Sequence, residues 1–178
     1  MPPSDGSLTP APADAFPPVD VRLTRDVDRA CPPRVYDATR MAFKLTGGCG
    51  CGAVRYELTE PLVSAGYCHC TRCQRRTGTA ASANGLAEPG SFHILSGEDQ
   101  LRAWKPEGGW EKWFCGDCGS ALFSRHPGDP TKVGIRLGTL DSDPGIRPSS
   151  RQFLASAVSW EPVPDDGLTR YDGPAARS

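Results

Sequence analysis

The sequence predicts a mainly β domain built from short antiparallel strands, and three of its features favour that fold class. Residues 41–164 contain short apolar runs that are separated by glycine- and proline-rich turns. No stretch of the sequence repeats its apolar residues every ~3.6 positions, as an amphipathic helix would. Seven of the eight cysteines fall into three tight clusters, so the fold is expected to depend on its cysteines as well as on a hydrophobic core.

Three segments of different character are predicted along the 178-residue chain. Residues 1–40 carry eight of the 18 prolines and only one glycine. Such a segment buries too little apolar surface to offset the entropy of ordering it, so it is predicted to be a disordered, proline-rich extension. Residues 41–164 are predicted to form one β domain, and residues 165–178, with their aspartates, glycines and alanines, a frayed tail.

The predicted strands follow one another without a long helix between them. Residues 53–58 place Val54, Tyr56 and Leu58 on one face and charged side chains on the other, which is typical of a half-buried strand. Residues 72–78 predict a turn or a brief helix. The remaining predicted strands are 43–46, 63–67, 82–86, 92–95, 101–104, 110–114, 121–125, 132–137 and 152–155.

Two cysteine pairs, Cys49 with Cys51 and Cys115 with Cys118, predict one closed metal site. In an extended segment, alternate side chains point to the same side, so both thiols of the first pair can reach one ion. The second pair has the spacing of a zinc knuckle, in which a tight glycine-containing turn carries two thiolates. Four thiolates complete a tetrahedron around zinc, which is the arrangement of a structural site.

The central triplet Cys68, Cys70 and Cys73 predicts a second zinc of a different kind. Three protein ligands with one open position are typical of a catalytic zinc. A fourth protein ligand would make this site structural as well. The candidates for that ligand are His69, His93, His126 and Cys31.

Two arginines beside the triplet are the candidate substrate contacts. Arg72 and Arg75 lie in the predicted turn, with Arg76 next to them, and a guanidinium can form bidentate contacts to the carboxylate of an anionic thiol. The alternative is a basic turn that only meets solvent. These two alternatives remain open at the level of the sequence.

Composition gives no support to a nucleic-acid or membrane partner. The net charge is -1 and the pI is near 6.3, so the chain has no general attraction for anionic surfaces. No window of the sequence reaches the ~18–20 apolar residues of a membrane span. Because the N-terminus also lacks the pattern of a secretory signal, a cytoplasmic location and metal-bound rather than disulfide-bonded cysteines are expected.

The cysteine clusters and their neighbours resemble a known family, the glutathione-dependent formaldehyde-activating enzymes, which are grouped with centromere-protein-V-like domains. The similar segments are LTGGCGCGAVRY at 45–56, CHCTRC at 68–73, WFCGDCGS at 113–120 and LGTLD at 137–141. The resemblance covers roughly residues 41–160. It implies a β-tent-type arrangement of short sheets that holds two zinc ions.

The resemblance also implies an activity and a role for each cysteine cluster. Cys49, Cys51, Cys115 and Cys118 look like the structural set, and Cys68, Cys70 and Cys73 like the catalytic set. The reaction of the family joins formaldehyde to glutathione and is classed as a carbon–sulfur lyase reaction. The sequence departs from the family at Arg151, where members often have histidine, and this departure concerns the substrate rather than the metal.

Two alternatives to an enzyme remain at the level of the sequence. The domain could be a non-catalytic zinc module that binds a macromolecule, or it could carry glutathione without turnover. Binding of a small thiol that depends on zinc would favour the enzyme or the carrier, whereas salt-sensitive binding to a macromolecule would favour the module. The sequence makes no prediction about oligomeric state.

Overall fold

The computed structural model describes residues 43–175, so the predicted extension over residues 1–40, Cys31 and residues 176–178 lie outside the described part of the chain. The described residues form eleven strands, one α-helix and three short 3-10 turns. The helix is α1 (Thr71–Thr77). The strands are β1 (Leu45–Gly48), β2 (Arg55–Leu58), β3 (Ser64–Cys68), β4 (Ser82–Leu86), β5 (Phe92–Ser96), β6 (Leu101–Trp104), β7 (Glu111–Cys115), β8 (Ala121–His126), β9 (Asp129–Arg136), β10 (Ser150–Gln152) and β11 (Thr169–Arg170).

The strands form two sheets. The smaller sheet has the order β1-β2-β5, and the larger has the order β11-β10-β3-β4-β9-β8-β7-β6. Neighbouring strands are antiparallel except that β10 runs parallel to both β3 and β11. The prediction of a mainly β domain of short antiparallel strands is therefore confirmed. Within the described residues, no helix is long and apolar enough to cross a membrane.

The hydrophobic core is shared by the two sheets. Tyr56 of the smaller sheet and Phe123 of the larger are fully buried. The ring of Phe92 lies between them, with its centroid 5.2 Å from that of Tyr56 and 4.7 Å from that of Phe123. Cys49 and Cys115 belong to the same buried cluster, which brings two of the predicted metal ligands to the edge of the core.

The LGTLD segment (137–141), which follows β9 directly, is hydrogen-bonded to the smaller sheet. Asp141 accepts hydrogen bonds from the Thr46 hydroxyl at 2.6 Å and from the guanidinium of Arg55. The Tyr56 hydroxyl lies 2.7 Å from the Thr139 hydroxyl. Two of the segments that carry the family resemblance are therefore in direct contact, and the contact positions the turn that bears the first cysteine pair.

The C-terminal segment differs from the prediction of a frayed tail over residues 165–178. β11 pairs with β10, and the backbone N–H of Phe153 donates to the carbonyl of Gly173 at 2.8 Å. The buried Arg151 also forms an ion pair with Asp166 at 2.6 Å. These bonds join residues 166–173 to β10 and to the turn that follows it, so this part of the tail belongs to the domain.

The last predicted strand, at 152–155, is shorter and lies earlier than expected. β10 ends at Gln152, and Phe153 adopts the left-handed backbone conformation with a φ of 60°. A 3-10 turn follows over Leu154–Ser156. The hydrogen bonds to the C-terminal segment hold this turn, and such distant partners cannot be seen in the local apolar pattern.

Candidate functional site

Four cysteines from two turns form a cluster at the edge of the core, here called the four-cysteine cluster: Cys49, Cys51, Cys115 and Cys118. Their sulfur atoms all lie within 4.8 Å of one another. The Sγ atoms of Cys49 and Cys51 are 3.4 Å apart, and those of Cys51 and Cys115 are 3.8 Å apart. A tetrahedron with metal–sulfur bonds of ~2.3 Å has edges of ~3.8 Å, so this donor set fits a single ion.

Backbone groups and Ser120 position these thiols. The backbone N–H of Val54 donates to the sulfur of Cys49 at 3.2 Å. The Ser120 hydroxyl accepts from the backbone N–H of Gly50 at 2.9 Å and lies 3.2 Å from the sulfur of Cys118. Hydrogen bonds lower the pKa of Cys118 to about 5; the side-chain bond with Ser120 is the largest cause, and Cys51 also contributes. Sequence reasoning missed this serine as a positioning residue, although it directly follows the predicted knuckle.

A second group of thiols, here called the three-cysteine cluster, lies where β3 leads into α1. Cys68 is the last residue of β3, Cys70 is the N-cap of α1, and Cys73 lies in its first turn. The three sulfur atoms lie within 4.8 Å of one another. Cys68 and Cys73 are buried, whereas Cys70 is partly exposed, so Cys70 lies on the more accessible side of the cluster.

Local helix capping explains how these thiols meet. The backbone N–H of Cys73 donates to the sulfur of Cys70 at 3.4 Å, in the position that a serine or aspartate side chain often takes at a helix start. Gly78 ends α1 in the left-handed conformation with a φ of 69°. A short helix with a fixed start thus holds Cys70 and Cys73 at a constant separation.

The crowded thiols of the three-cysteine cluster change one another's acidity. Hydrogen bonds from the Cys68 and Cys73 thiols lower the pKa of Cys70 to about 2. The same contact with Cys70 raises the pKa of Cys68, to which Cys73 and burial also contribute. Three sulfurs held this closely favour the binding of a cation, which replaces the protons of the thiols.

The three-cysteine cluster has no fourth ligand of the predicted kinds in residues 43–175. No fourth His, Cys, Asp or Glu donor atom joins the three sulfurs within the same distance. His69 is buried, with its Nε2 3.4 Å from a guanidinium nitrogen of Arg151, and burial lowers its pKa. His93 lies opposite Glu57 in the smaller sheet, and the ring of His126 contacts Trp110 edge-on.

Arg72 and Arg75 line a cavity of about 440 Å³ beside α1, together with Arg76, Trp104 and Phe114. Arg72 also donates to the backbone carbonyls of two residues in the turn between β6 and β7, at 3.1 and 3.2 Å. The guanidinium of Arg76 lies 5.8 Å from the centroid of the Phe114 ring. A volume of this size accommodates a small ligand, and its three arginines favour an anionic one.

Two basic side chains near the three-cysteine cluster, Lys112 and Arg136, were not predicted as site residues, and Arg76 of the predicted turn lies there with them. Arg136 is buried, and its charge interacts with the thiolates of all three cysteines. Burial lowers the pKa of Arg76 to about 10, and burial also lowers the pKa of Lys112. The local sequence shows only that Arg136 falls in a predicted strand, and its proximity to the cysteines results from pairing between distant strands.

Arg151 borders a second cavity of about 300 Å³ with Tyr67 and His69. Its guanidinium lies 4.4 Å from the centroid of the Tyr67 ring and forms an ion pair with Asp166. In register, Arg151 is directly opposite Tyr67. These contacts connect β10 to β3 and to the C-terminal segment.

A mainly β domain that gathers two sets of free thiols, each with its sulfurs close enough to share one metal ion, belongs to the class of small cysteine-rich domains. More specifically, the chain belongs to the family of glutathione-dependent formaldehyde-activating enzymes, whose family model matches residues 44–156. The matched region contains both cysteine clusters and strands β1 to β10.

Two similar proteins can be named. A protein of Halomonas elongata is 29% identical over 105 residues, which is 56% of this chain and 67% of the relative, and it is named "Putative glutathione-dependent formaldehyde-activating enzyme". The crystal structure of a Rhodobacter sphaeroides protein aligns with a TM-score of 0.46 and 23% identity. That alignment covers 71% of this chain and 98% of the other.

Proposed function

We propose that this protein is a zinc-dependent carbon–sulfur lyase of the glutathione-dependent formaldehyde-activating type. It binds a small thiol, glutathione in the simplest case, and adds it to formaldehyde or a related aldehyde. The observation that carries this proposal is the three-cysteine cluster, whose sulfurs lie within 4.8 Å of one another and have no fourth donor in the described residues. Membership of the family supports the choice of thiol and aldehyde.

The four-cysteine cluster would hold one zinc in a structural role. Its donor set of four thiols matches a closed tetrahedral site in number and in spacing. Cys49 and Cys51 follow β1 of the smaller sheet. Cys115 ends β7 of the larger sheet, and Cys118 lies in the turn between β7 and β8. An ion shared by the two turns would therefore connect the two sheets.

The three-cysteine cluster would hold the second zinc with Cys68, Cys70 and Cys73. When bound, this zinc supplies a coordination position at which a thiol is held in its deprotonated form. The partial exposure of Cys70 leaves that side of the cluster accessible to a substrate. The buried Cys68 and Cys73 would hold the ion on the opposite side.

Positioning of the substrate must contribute more to the rate than ionisation of the thiol. A free thiol with a pKa of ~8.5 is a few per cent ionised at pH 7, so complete ionisation gains at most ~30-fold, or about 2 kcal/mol. Well-aligned reactants reach effective molarities of ~10⁵ M or more. The cavity lined by Arg72, Arg75 and Arg76 supplies such positioning if its guanidinium groups bind the carboxylates of the thiol.

The net reaction forms one carbon–sulfur bond. The sulfur of the thiol donates an electron pair to the carbonyl carbon of the aldehyde, and the π electrons of the carbonyl move to its oxygen. The proton lost by the thiol ends on that oxygen, which gives an S-(hydroxyalkyl) adduct. The reverse sequence releases thiol and aldehyde, and this direction is the lyase reaction.

Exchange NMR with glutathione and formaldehyde tests this proposal, because it measures adduct formation and breakdown at equilibrium. Zinc-loaded protein should increase the exchange rate above that of the spontaneous reaction, and Cys70→Ser should remove the increase while one zinc remains bound. Saturable binding of glutathione without any increase in rate would instead identify a glutathione carrier. If the protein neither binds glutathione nor increases the exchange rate, the proposal is contradicted.

A further inference from the structure

A row of polar side chains crosses the larger sheet from the three-cysteine cluster. It is called the polar row below, and its members are Ser82, Asn84, Arg136, Ser124 and Lys112. Directly paired residues of an antiparallel sheet share a face, and so do residues two apart in one strand. Cys68 is paired with Ser82, Asn84 with Arg136, and Ser124 with Lys112.

Hydrogen bonds fix the guanidinium of Arg136 at the centre of this row. Arg136 donates to the amide oxygen of Asn84 and, at 3.0 Å, to the hydroxyl of Ser124. The Ser82 hydroxyl donates to the same amide oxygen at 3.0 Å, and Lys112 donates to the Ser124 hydroxyl at 3.2 Å. All of these acceptors are neutral, so they orient Arg136 without balancing its charge.

Arg136 is a buried cation that no carboxylate in the described part of the chain neutralises. It is 6% exposed, and none of the ion pairs formed by residues 43–175 involves Arg136, Lys112 or Arg76. A buried charge is costly unless an opposite charge compensates it. Burial lowers the pKa of Arg136, and the thiolates of Cys73, Cys68 and Cys70 act in the opposite direction.

The charge of an occupied three-cysteine cluster matches this requirement. Three thiolates and one divalent cation carry a net charge of minus one, which a single guanidinium balances. The four-cysteine cluster has a different surrounding, because Cys51 and Cys118 are exposed and solvent can screen its charge. A buried counter-ion is therefore needed at only one of the two clusters.

We propose that Arg136 is the counter-ion of the three-cysteine cluster and a positioning residue for its metal. This inference rests on the proposed function, which assigns a zinc to Cys68, Cys70 and Cys73. Arg136 stabilises the three thiolates in their metal-binding form. Lys112 and Arg76 add positive charge beyond what the metal and its thiolates require, so an anionic ligand such as a thiolate is favoured at the open position.

Zinc release to a chromogenic chelator, measured on the full chain, tests this role. Arg136→Met removes the charge but keeps much of the length of the side chain. We expect it to weaken the binding of one of two zinc ions by on the order of tenfold to a hundredfold, as for other groups that support metal ligands. Arg136→Lys should retain most of the affinity because it keeps the positive charge.

Arg125→Met is the matched control. Arg125 is a partly buried arginine of the neighbouring strand β8, and its guanidinium packs over the rings of Trp113 and Phe123. Its loss should leave the affinity for both ions unchanged. Circular dichroism of each variant establishes that the β fold is retained.

The outcomes separate this inference from the proposed function. A wild-type chain that binds one ion overturns both. If the wild type binds two ions and Arg136→Met binds both with unchanged affinity, only the role of Arg136 is overturned. If Arg136→Lys binds zinc as weakly as Arg136→Met does, the role of the positive charge is overturned. If Arg136→Met does not fold, Arg136→Gln decides, because its neutral amide removes the charge and can still donate a hydrogen bond to Asn84. A selective loss of affinity for one ion then supports the inference, and no loss overturns it.

Discussion

At the scale of single residues, the seven thiols fall into two groups with different surroundings. The sulfurs of Cys49 and Cys115 are part of the core, whereas Cys70 is the partly exposed start of a helix. Removing a thiol from the first group disturbs contacts between the sheets. Removing Cys70 takes away the one partly exposed thiol of the three-cysteine cluster, and it leaves the contacts between the sheets in place.

This difference predicts opposite effects of two serine substitutions. Cys49→Ser should unfold the domain, because a structural zinc in small metal-folded peptides contributes ~10–16 kcal/mol and a typical domain has only ~5–15 kcal/mol of stability. Cys70→Ser should keep the fold and one zinc. Circular dichroism with zinc analysis checks both variants, and equal unfolding of the two would show that the three-cysteine cluster is structural.

The residues that sequence reasoning found and missed differ in how far their partners lie along the chain. The cysteines were found because each pair or triplet is close in sequence, and spacing alone indicates a shared ion. Arg136 was missed because its relation to Cys68 requires the pairing of β3 with β4 and of β4 with β9. Ser120 was missed because its hydroxyl acts on Gly50, which belongs to a different turn.

At the scale of elements, α1 and β10 determine the geometry around the three-cysteine cluster. α1 has only seven residues, so its two ends contribute much of its stability. Gln74 connects this helix to both neighbouring segments, with its amide donating to the carbonyls of His69 and Ser156 at 2.6 and 2.8 Å. β10 in turn lies between β3, which ends in Cys68, and the C-terminal strand β11.

The end of α1 gives a prediction about stability. Gly78→Ala should lower the free energy of unfolding by about 1 kcal/mol, because alanine is strained in the left-handed conformation that Gly78 adopts. Gly138→Ala is the control, since Gly138 has no positive φ and an added Cβ meets nothing within 4 Å at either position. Urea unfolding of the two variants measures the difference, and equal stabilities would contradict this account of the helix end.

The connection between β10 and the C-terminal segment gives a second prediction. Asp166→Asn should destabilise the domain, because it leaves the buried Arg151 without its charged partner. Asp143→Asn, which removes an ion pair with the exposed Arg147, should have a much smaller effect. Urea unfolding compares these variants. Similar losses in the free energy of unfolding would show that the ion pair between Arg151 and Asp166 stabilises the domain no more than an exposed ion pair does.

The effect of pH on this ion pair follows from the pKa of Asp166. The hydrogen bond from Arg151 holds that pKa below its ordinary value. A lowered folded-state pKa gives stability that is complete above the unfolded value of ~3.9 and is lost as the pH falls through the folded value. The difference between wild type and Asp166→Asn should therefore be constant between about pH 6 and pH 8.

Strand positions were predicted well where turn residues in the local sequence mark both ends of the strand. The predictions for 82–86 and 101–104 coincide with β4 and β6. A turn or a brief helix was predicted at 72–78, and the structure has the helix α1 there, which begins one residue earlier. The region after residue 149 was predicted less well, because the left-handed Phe153 and the pairing of β11 depend on bonds between segments that are distant in sequence.

At the scale of the whole molecule, the four-cysteine cluster joins the two sheets at the edge of their shared core. Short strands alone provide little buried surface, so an ion at this position would contribute strongly to the stability of the domain. The three-cysteine cluster lies at the start of α1, beside one end of the polar row. Stability and chemistry would thus depend on different ions in one small domain.

The central claim is that the two clusters bind two metal ions of unequal character, and cobalt(II) absorption during a glutathione titration tests it most directly. Cobalt replaces zinc in thiolate sites and reports the number and geometry of its ligands. The account predicts two cobalt ions per chain, of which one changes its spectrum saturably with glutathione and the other does not. One ion per chain, or two ions whose spectra both stay unchanged on addition of glutathione, would contradict it.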